Sequence, residues 1–253
     1  MGEPELSRTP PAPTFAPGSD DVRGMFGRIA GRYVRANSLM TAGLDRRWRR
    51  YAVRQAAAPP GGRLLDAGAG TGDIALEALH RNGGLTVVGA DFTPGMMRVG
   101  RRRPGGEYVL WCAADALVLP FPDGAFDAVV SGFLMRNVSD VAAAFREQTR
   151  VVKSGGRVVC LDTSPPRGLL RPLILFYMRA LGALVSGGDS AYTYLAETTR
   201  HFKTPDELAA IMRSAGLEDV CYRRFMFGSI AVHVGVKPGA RPSGRPRAPI
   251  SPP

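Results

Sequence analysis

The stretch Leu64–Asp73 reads LLDAGAGTGD, and it decides the fold. Its first residues predict the end of a short apolar strand, and the glycines after them predict a tight turn into a helix. Such a turn lets a ligand approach the backbone closely, and the first N–H groups of the helix are free to bind it. The stretch therefore predicts a ligand site at the end of the first strand.

The spacing of these glycines differs from the dinucleotide-binding fingerprint. That fingerprint is Gly-x-Gly-x-x-Gly, whereas this chain has Gly68, Gly70 and Gly72 and places Asp73 at the position of the third glycine. A carboxylate there would oppose a pyrophosphate. Together with Asp66 before the turn, it suits a cationic or zwitterionic ligand. The turn therefore favours S-adenosylmethionine over NAD and disfavours an NAD-dependent oxidoreductase.

Strands and helices alternate along the rest of the core. A helix predicted to begin near Ser19 and a second from Leu44 to Ala57 come first. The segments RLLDA, LTVVGAD, YVLWCAAD, FDAVVSG and GRVVCLD then predict strands. Helices between strands, in units of about 30 residues, indicate a parallel, doubly wound α/β sheet with apolar strands. The later segment EDVCYRRFMFGSIAVHVGVK predicts two strands without an intervening helix, and thus a C-terminal antiparallel hairpin.

Composition divides the chain into one domain and two tails. Residues 1–18 and 238–253 are rich in proline and lack periodicity, which predicts disordered tails, the second of them basic. Residues 19–237 are predicted to form a single domain. Within it, residues 164–203 interrupt the strand–helix rhythm and contain an apolar run with two arginines. This insertion predicts helices that form a lid over the carboxyl edge of the sheet.

The composition also limits the possible partners. The formal net charge of +11 at pH 7 is compatible with a solvated surface or with peripheral contact to an anionic membrane, whereas no nucleic-acid motif accompanies it. No long apolar run predicts a membrane span, and no signal pattern opens the chain. Three scattered cysteines predict a cytoplasmic protein, with possible contact at the inner face of the cell membrane. Three histidines without ligand spacing predict no metal site, and the oligomeric state stays open.

Acidic residues also follow the next two strands. Asp91 ends the second strand, where a doubly wound fold places a carboxylate beside ribose hydroxyls. Asp115 comes just after the third strand, where it can accept a hydrogen bond from an adenine amino group. One adenosyl site along one sheet edge is therefore predicted, formed by Asp66, Gly68, Gly70, Thr71, Gly72, Asp91, Phe92, Asp115 and Ala116.

Several segments carry a family resemblance. LDAGAGTGD, GADFTPGMM, ADALVLPFPDGAFDAVVSGFLMRNVSD and RVVKSGGRVVCLD resemble the ubiquinone/menaquinone biosynthesis C-methyltransferases, and the likeness runs from about Phe26 to Lys237. The resemblance implies a class I, Rossmann-like methyltransferase fold and ring C-methylation of a prenylated hydroquinone such as demethylmenaquinol. It implies that Arg136 and Asn137 act at the acceptor, with Arg136 assisting quinol deprotonation. It also makes Tyr33 a candidate to cover the methionine moiety of the cofactor.

The N-terminal signature departs from the family pattern. That pattern reads approximately Y-D-x-M-N-x-x-x-S-x-G-x-H-x-x-W, and this chain has Val34, Ala36, Thr41 and Asp45 in place of its Asp, Met, Ser and His. The departures keep two alternatives open. One is a methyltransferase that acts on another small phenolic or polyketide acceptor. The other is a non-catalytic partner in a quinone pathway, against which the intact glycine turn and Asp91 argue.

Overall fold

The computed structural model describes residues 41, 43–165 and 202–239. The described helices and strands are, in chain order, α1 (Leu44–Ala56), β1 (Arg63–Ala67), α2 (Asp73–Arg81), β2 (Thr86–Asp91), α3 (Pro94–Arg101), β3 (Leu110–Ala113), β4 (Phe126–Gly132), α4 (Val141–Val151), β5 (Val152–Thr163), α5 (Pro205–Ser214), β6 (Glu218–Phe225) and β7 (Ile230–Val236). Single 3₁₀ turns lie at Gly106–Tyr108, Met135–Asn137 and Met226–Gly228.

The described strands form one seven-stranded sheet in the order β3-β2-β1-β4-β5-β7-β6. Strands β1 to β5 pair in parallel, whereas β7 is antiparallel to both of its neighbours. The predicted doubly wound α/β sheet with a C-terminal antiparallel hairpin is therefore confirmed. The strand order reverses between β1 and β4, and such a switch point opens a ligand crevice outside the carboxyl ends of the strands.

Helices cover both faces of the sheet. On one face, Leu65 and its neighbours pack with Phe145 of α4 and Leu208 of α5, and on the other, Leu64 and its neighbours pack with Trp48 of α1. Because alternate residues of a strand face opposite sides, two covered faces require strands that are apolar throughout. The central strands satisfy this requirement. Because helices cover both faces of the sheet, the ends of the strands remain as the place where a ligand can bind.

Two local predictions differ from the structure. The strand β3 lies at the edge of the sheet, and Leu110 at its start is 57% exposed, so this strand is not covered on both faces. The sequence predicts a helix from Pro94 to Arg103, but α3 ends at Arg101, because Pro104 disfavours helical backbone in the residue before it.

Several predictions fall on residues outside the described ones. These are the N-terminal tail and the helix after it, including Tyr33, most of the lid insertion (residues 166–201) and all but the first residues of the C-terminal tail. Within the described residues, none of the helices has the length and apolar character needed to cross a bilayer.

Candidate active site

The glycine turn joins β1 to α2 through three residues in the left-handed backbone region. Gly68, Gly70 and Gly72 have φ of 72°, 56° and 79°, which L side chains rarely adopt. The turn is tied to the neighbouring strand, because the N–H groups of Gly68 and Ala69 donate to the carbonyl of Ala90 at 2.8 and 2.9 Å. A Cβ at Gly68 would lie 2.7 Å from Cδ1 of Leu134, so this position has no room for a side chain.

A cavity of about 270 Å³ lies at the carboxyl ends of β1, β2 and β4. Its wall combines the polar groups of the turn with apolar side chains such as Met96 and Leu117. Seven of the predicted site residues line it, namely Gly68, Gly70, Asp91, Phe92, Asp115, Ala116 and Asn137. The structure thus brings together at one cavity residues that the sequence distributes over four loops.

Asp91 is held in this cavity by two backbone donors. Its Oδ2 accepts from the N–H of Gly70 at 2.7 Å, and its Oδ1 accepts from the N–H of Thr93 at 2.7 Å. Burial raises the pKa of Asp91, and these two hydrogen bonds oppose the rise. Each carboxylate oxygen has a second acceptor position. The fixed carboxylate can therefore accept further hydrogen bonds from a ligand.

Asp115 lies on the far wall of the same cavity. Its Oδ1 accepts from the N–H of Leu117 at 2.9 Å, which closes a small turn and fixes the carboxylate. Ala116 and Leu117 beside it also line the cavity. A polar acceptor on an apolar wall suits a flat heteroaromatic ring with an amino group, since such walls bind rings and the polar group sets their orientation.

A second, smaller cavity of about 40 Å³ lies behind the turn. Asp66 and Thr71 line it, as do Arg49 and Phe133. Asp66 accepts from the N–H of Ala75 at 3.0 Å, and burial raises its pKa to about 7 despite that hydrogen bond. Arg49 reaches the cavity from α1, and its side chain is only 8% exposed. Asp73 lines the cavity as well, so two carboxyl groups and one guanidinium face the same small volume.

The charge of Asp73 is balanced in a way that the sequence did not predict. Its two oxygens lie 2.6 Å from Nη1 of Arg103 and 3.2 Å from Nη2 of Arg49. Although burial favours the neutral acid, these two arginines lower the pKa of Asp73. The carboxylate of Asp73 is therefore already paired with two arginines. The expectation that its charge attracts a cationic ligand is wrong for this reason.

Two departures from the family's N-terminal signature belong to the same network. Oγ1 of Thr41 donates to Asp45 at 2.9 Å, and the carboxylate of Asp45 pairs with Arg49 one helical turn further on. Asp45 is 5% exposed. These two residues therefore position Arg49 beneath the glycine turn.

Gly72 lines neither of these two cavities. A Cβ at this position would lie 2.6 Å from Cη2 of Trp111, and one at Gly100 would lie 2.4 Å from the same atom. The indole of Trp111 therefore occupies the space that both glycines leave. Gly72 is the N-cap residue of α2 and packs against this ring, and its contact with the cofactor stays a prediction.

Arg136 forms a buried ion pair at the carboxyl edge of the sheet. Its Nη1 lies 3.1 Å from Oδ1 of Asp162, and both side chains are buried, with exposed fractions of 7% and 1%. Its guanidinium stacks 4.9 Å from the ring centre of Phe133. Arg136 lines neither of the two cavities described above, and its expected role at the acceptor stays a prediction. Asn137 does line the larger cavity, and its Nδ2 donates to the carbonyl of Phe133 at 3.0 Å.

Sequence reasoning missed Phe133 and Arg49. Phe133 follows β4 directly, has φ of 58°, lines both cavities and lies between the guanidinium groups of Arg49 and Arg136. Strained backbone of this kind clusters at functional sites. The available signal for Phe133 was its position directly after a parallel strand, where this fold binds ligands. Nothing in the sequence distinguished Arg49 from the other arginines of α1.

Within the described residues, no group of three or more His, Cys, Asp or Glu side chains could hold a metal ion. The polar side chains that line the two cavities are carboxylates, one guanidinium, one amide and the hydroxyls of serine and threonine.

Known proteins resemble this chain over most of its length. The sequence model of the ubiE/COQ5 methyltransferase family matches residues 16–237. The demethylmenaquinone methyltransferase of Roseiflexus castenholzii is 47% identical over 226 residues, which cover 86% of this chain and 94% of that protein. The demethylmenaquinone methyltransferase of Thermus thermophilus is 44% identical over 85% of this chain and 100% of its own. The ubiquinone/menaquinone biosynthesis C-methyltransferase UbiE of Desulfotalea psychrophila is 43% identical, covering 85% and 90%.

Solved structures share the fold at lower sequence identity. A putative methyltransferase of Haloferax volcanii, in complex with the Trm112 activator, superposes with a TM-score of 0.63 at 19% identity and covers 85% of this chain and 98% of its own. A phosphoethanolamine N-methyltransferase of Haemonchus contortus, solved with S-adenosyl-L-methionine, gives 0.57 at 18% identity, covering 74% and 51%. These likenesses identify the sheet as a class I methyltransferase fold.

Proposed function

This chain belongs to the ubiE/COQ5 methyltransferase family and is a methyltransferase, and from that membership we propose that it methylates a ring carbon of a prenylated hydroquinone such as demethylmenaquinol. The methyl donor in this proposal is S-adenosylmethionine. The observation that carries it is the cavity at the carboxyl edge, where Asp91, Asp115 and the glycine turn meet. The names of the relatives at 43–47% identity support the acceptor class.

The residues present fit the adenosyl half of this donor. In the larger cavity, Asp91 would accept from the ribose hydroxyls, and Asp115 would accept from the adenine amino group, with Leu117 and Met96 against the ring. The backbone of the glycine turn itself forms part of the cavity wall, since Gly68 and Gly70 both line the cavity. The cavity therefore has acceptors where a nucleoside has donors.

The smaller cavity fits the amino-acid half. A methionine tail carries an ammonium and a carboxylate, and this cavity offers the carboxyl group of Asp66 and the guanidinium of Arg49. Arg49 is already bonded to Asp45 and Asp73, but a guanidinium has five N–H donors. Asp66 and Arg49 would thus bind the two charges of a zwitterion.

The donor supplies an electrophilic methyl group on a sulfonium. The protein must hold an acceptor carbon in line with that methyl group and make the carbon nucleophilic. Loss of a phenolic proton from a hydroquinone pushes charge onto the ortho carbon, and a nearby cation lowers the pKa of that phenol. The guanidinium of Arg136, held by Asp162, would supply this cation, while Asn137 supports the turn of Phe133 at the cavity wall.

The chemistry of the acceptor implies a membrane partner. A prenylated hydroquinone partitions into the bilayer, so the enzyme would act at the inner face of the cell membrane as a peripheral protein. The net charge of +11 favours reversible contact with anionic lipids. Thr41 and Asp45 support Arg49, so these two departures from the family signature do not by themselves favour another phenolic or polyketide acceptor.

The test is methyl transfer to a reduced acceptor. Purified protein is incubated with methyl-labelled S-adenosylmethionine and chemically reduced demethylmenaquinone, and the product is read by mass spectrometry. We expect methylation of the quinol and none of the oxidised quinone, which lacks the phenolic proton. Asp91→Asn should weaken donor binding, and the matched variant Glu107→Gln, at an exposed carboxylate, should not. Equal rates with quinol and rigorously oxidised quinone would contradict the mechanism, and labelling of a simple phenol alone would indicate the other acceptor class.

A further inference from the structure

The turn between β6 and β7 presents an exposed aromatic ring at the functional edge of the sheet. Phe227 is 71% exposed and lies in the 3₁₀ turn Met226–Gly228. Ile230, just after the turn, pairs with Thr163 at the carboxyl end of β5. The turn therefore lies at the same edge of the sheet as the two cavities.

The backbone of this turn is strained and firmly held. Met226 and Phe227 have φ of 48° and 53°, a region that is unfavourable for residues with a side chain. The carbonyl of Met226 accepts from the N–H and the Oγ of Ser229 at 3.0 and 2.7 Å. Oγ of Ser164 donates to the carbonyl of Gly228 at 2.8 Å. Backbone strain that is maintained by surrounding hydrogen bonds is typical of functional positions. Here the strained turn keeps the apolar ring of Phe227 exposed to solvent.

Basic and aromatic side chains lie next to the turn. The guanidinium of Arg223 stacks 5.5 Å from the ring centres of both Tyr51 and Phe225, and that of Arg54 lies 6.0 Å from the ring of Tyr51. Arg223 and Arg54 are exposed. We name Tyr51, Arg54, Arg223 and Phe225 the basic-aromatic patch. Exposed Arg47 precedes Tyr51 by one helical turn and adds a charge on the same face of α1.

We propose that Phe227 and the basic-aromatic patch are the surface by which this protein contacts an anionic bilayer. The ring of Phe227 enters the headgroup region, and the arginines of the patch bind lipid phosphates. Arginine and aromatic side chains are the combination that suits this interface, since aromatic rings bury apolar surface among the headgroups and arginine has an apolar stem and a charged end. The proposal rests on the proposed function, because a bilayer-resident acceptor requires the membrane to face the carboxyl edge.

Another exposed aromatic residue provides the control. Tyr108 is 72% exposed and precedes β3, so it lies at the amino edge of the sheet. Substitution of Tyr108 removes as much exposed aromatic surface as substitution of Phe227, but at the opposite edge. A general loss of surface apolarity would affect both positions equally, whereas an oriented membrane contact affects only Phe227.

The experiment measures sedimentation with vesicles of phosphatidylglycerol and phosphatidylcholine, without donor or acceptor. We expect Phe227→Ala to weaken binding about tenfold or more, from the apolar area of one phenyl ring, and Tyr108→Ala to leave it unchanged. Arg223→Gln should weaken binding and reduce its dependence on salt. In a second readout, the emission of Phe227→Trp should shift to the blue on vesicle binding and be quenched by brominated lipid, and that of Tyr108→Trp should not.

Wild-type vesicle binding by Phe227→Ala, or equal loss by Tyr108→Ala, would overturn the proposal. The vesicle assay uses no methyl-transfer reagents. A protein that binds vesicles through Phe227 but methylates no quinol would therefore contradict the proposed function alone, and methylation with Phe227-independent binding would contradict this inference alone.

Discussion

Replacement of Arg49 by lysine tests whether the smaller cavity binds the carboxylate of the methyl donor. Arg49 contacts Asp45 and Asp73 through different nitrogens and also lines the cavity. Lysine keeps the positive charge near the two carboxylates, but its single ammonium cannot contact all three partners at once. A neutral substitution would leave the buried carboxylate of Asp45 without its cation, at a cost of about 3–5 kcal/mol, and is a poorer test because it endangers the fold.

The magnitude follows from one charged hydrogen bond. Such a bond contributes about 1.5–3 kcal/mol, which corresponds to about 10-fold to 150-fold in Kd, since 1.4 kcal/mol is a factor of ten. The wild-type protein should therefore prefer S-adenosylmethionine to its decarboxylated analogue by that factor. Arg49→Lys should reduce the preference about tenfold, because an ammonium shared between Asp45 and Asp73 binds the ligand carboxylate poorly.

The assay is calorimetric titration of both ligands into three proteins. The proteins are the wild type, Arg49→Lys and the matched variant Arg50→Lys, whose side chain is 52% exposed and pairs with Glu77. A partly unfolded sample lowers the apparent affinity for both ligands equally, so the ratio of the two Kd values isolates the carboxylate. An unchanged ratio in Arg49→Lys, or equal wild-type affinities for the two ligands, would refute the assignment of the methionine carboxylate to Arg49.

Two further predictions concern Asp66 and Arg136. Burial raises the pKa of Asp66 to about 7 in the free protein, and the ammonium of bound S-adenosylmethionine would lower it. Binding of S-adenosylmethionine below pH 7 should therefore release a proton from Asp66. The affinity for S-adenosylmethionine should rise with pH up to about 7 and then level off. Calorimetry in two buffers of different ionisation enthalpy checks this, and a proton release that persists in Asp66→Asn would assign it to another group such as Asp91. Arg136→Ala should destabilise the fold by about 3–5 kcal/mol, since it leaves Asp162 buried and unpaired. The double variant Arg136→Met with Asp162→Asn should regain thermal stability but not the single-turnover rate, and recovery of both would make Arg136 purely structural.

The larger cavity could be predicted from the sequence because its residues follow consecutive parallel strands. The glycine turn, Asp91 and Asp115 come directly after β1, β2 and β3, and the carboxyl ends of parallel strands lie at one edge of a sheet. A strand followed by a helix is a local pattern, and the apolar strands required by two covered faces are visible in the sequence. Short segments of the sequence are therefore sufficient to predict both the fold and the part of the candidate site that faces the nucleoside.

The roles of Asp73, Gly72, Arg136 and Arg49 depended on the tertiary structure. Asp73 and Arg103 are 30 residues apart, and Arg136 and Asp162 are 26 apart. Such pairs form only when helices and loops from separate strand–helix units pack together, and side-chain periodicity carries no information about them.

The sequence by itself thus determined the sheet, the turn and the carboxylates along its edge, because these depend on backbone conformation and on burial repeated every two or four residues. Only the tertiary structure decided which charges are already paired, which glycine makes room for Trp111, and that Arg49 and Phe133 line the site. The physical reason is that a side chain's charge and shape are present in the sequence, whereas its partners are set by packing between distant segments.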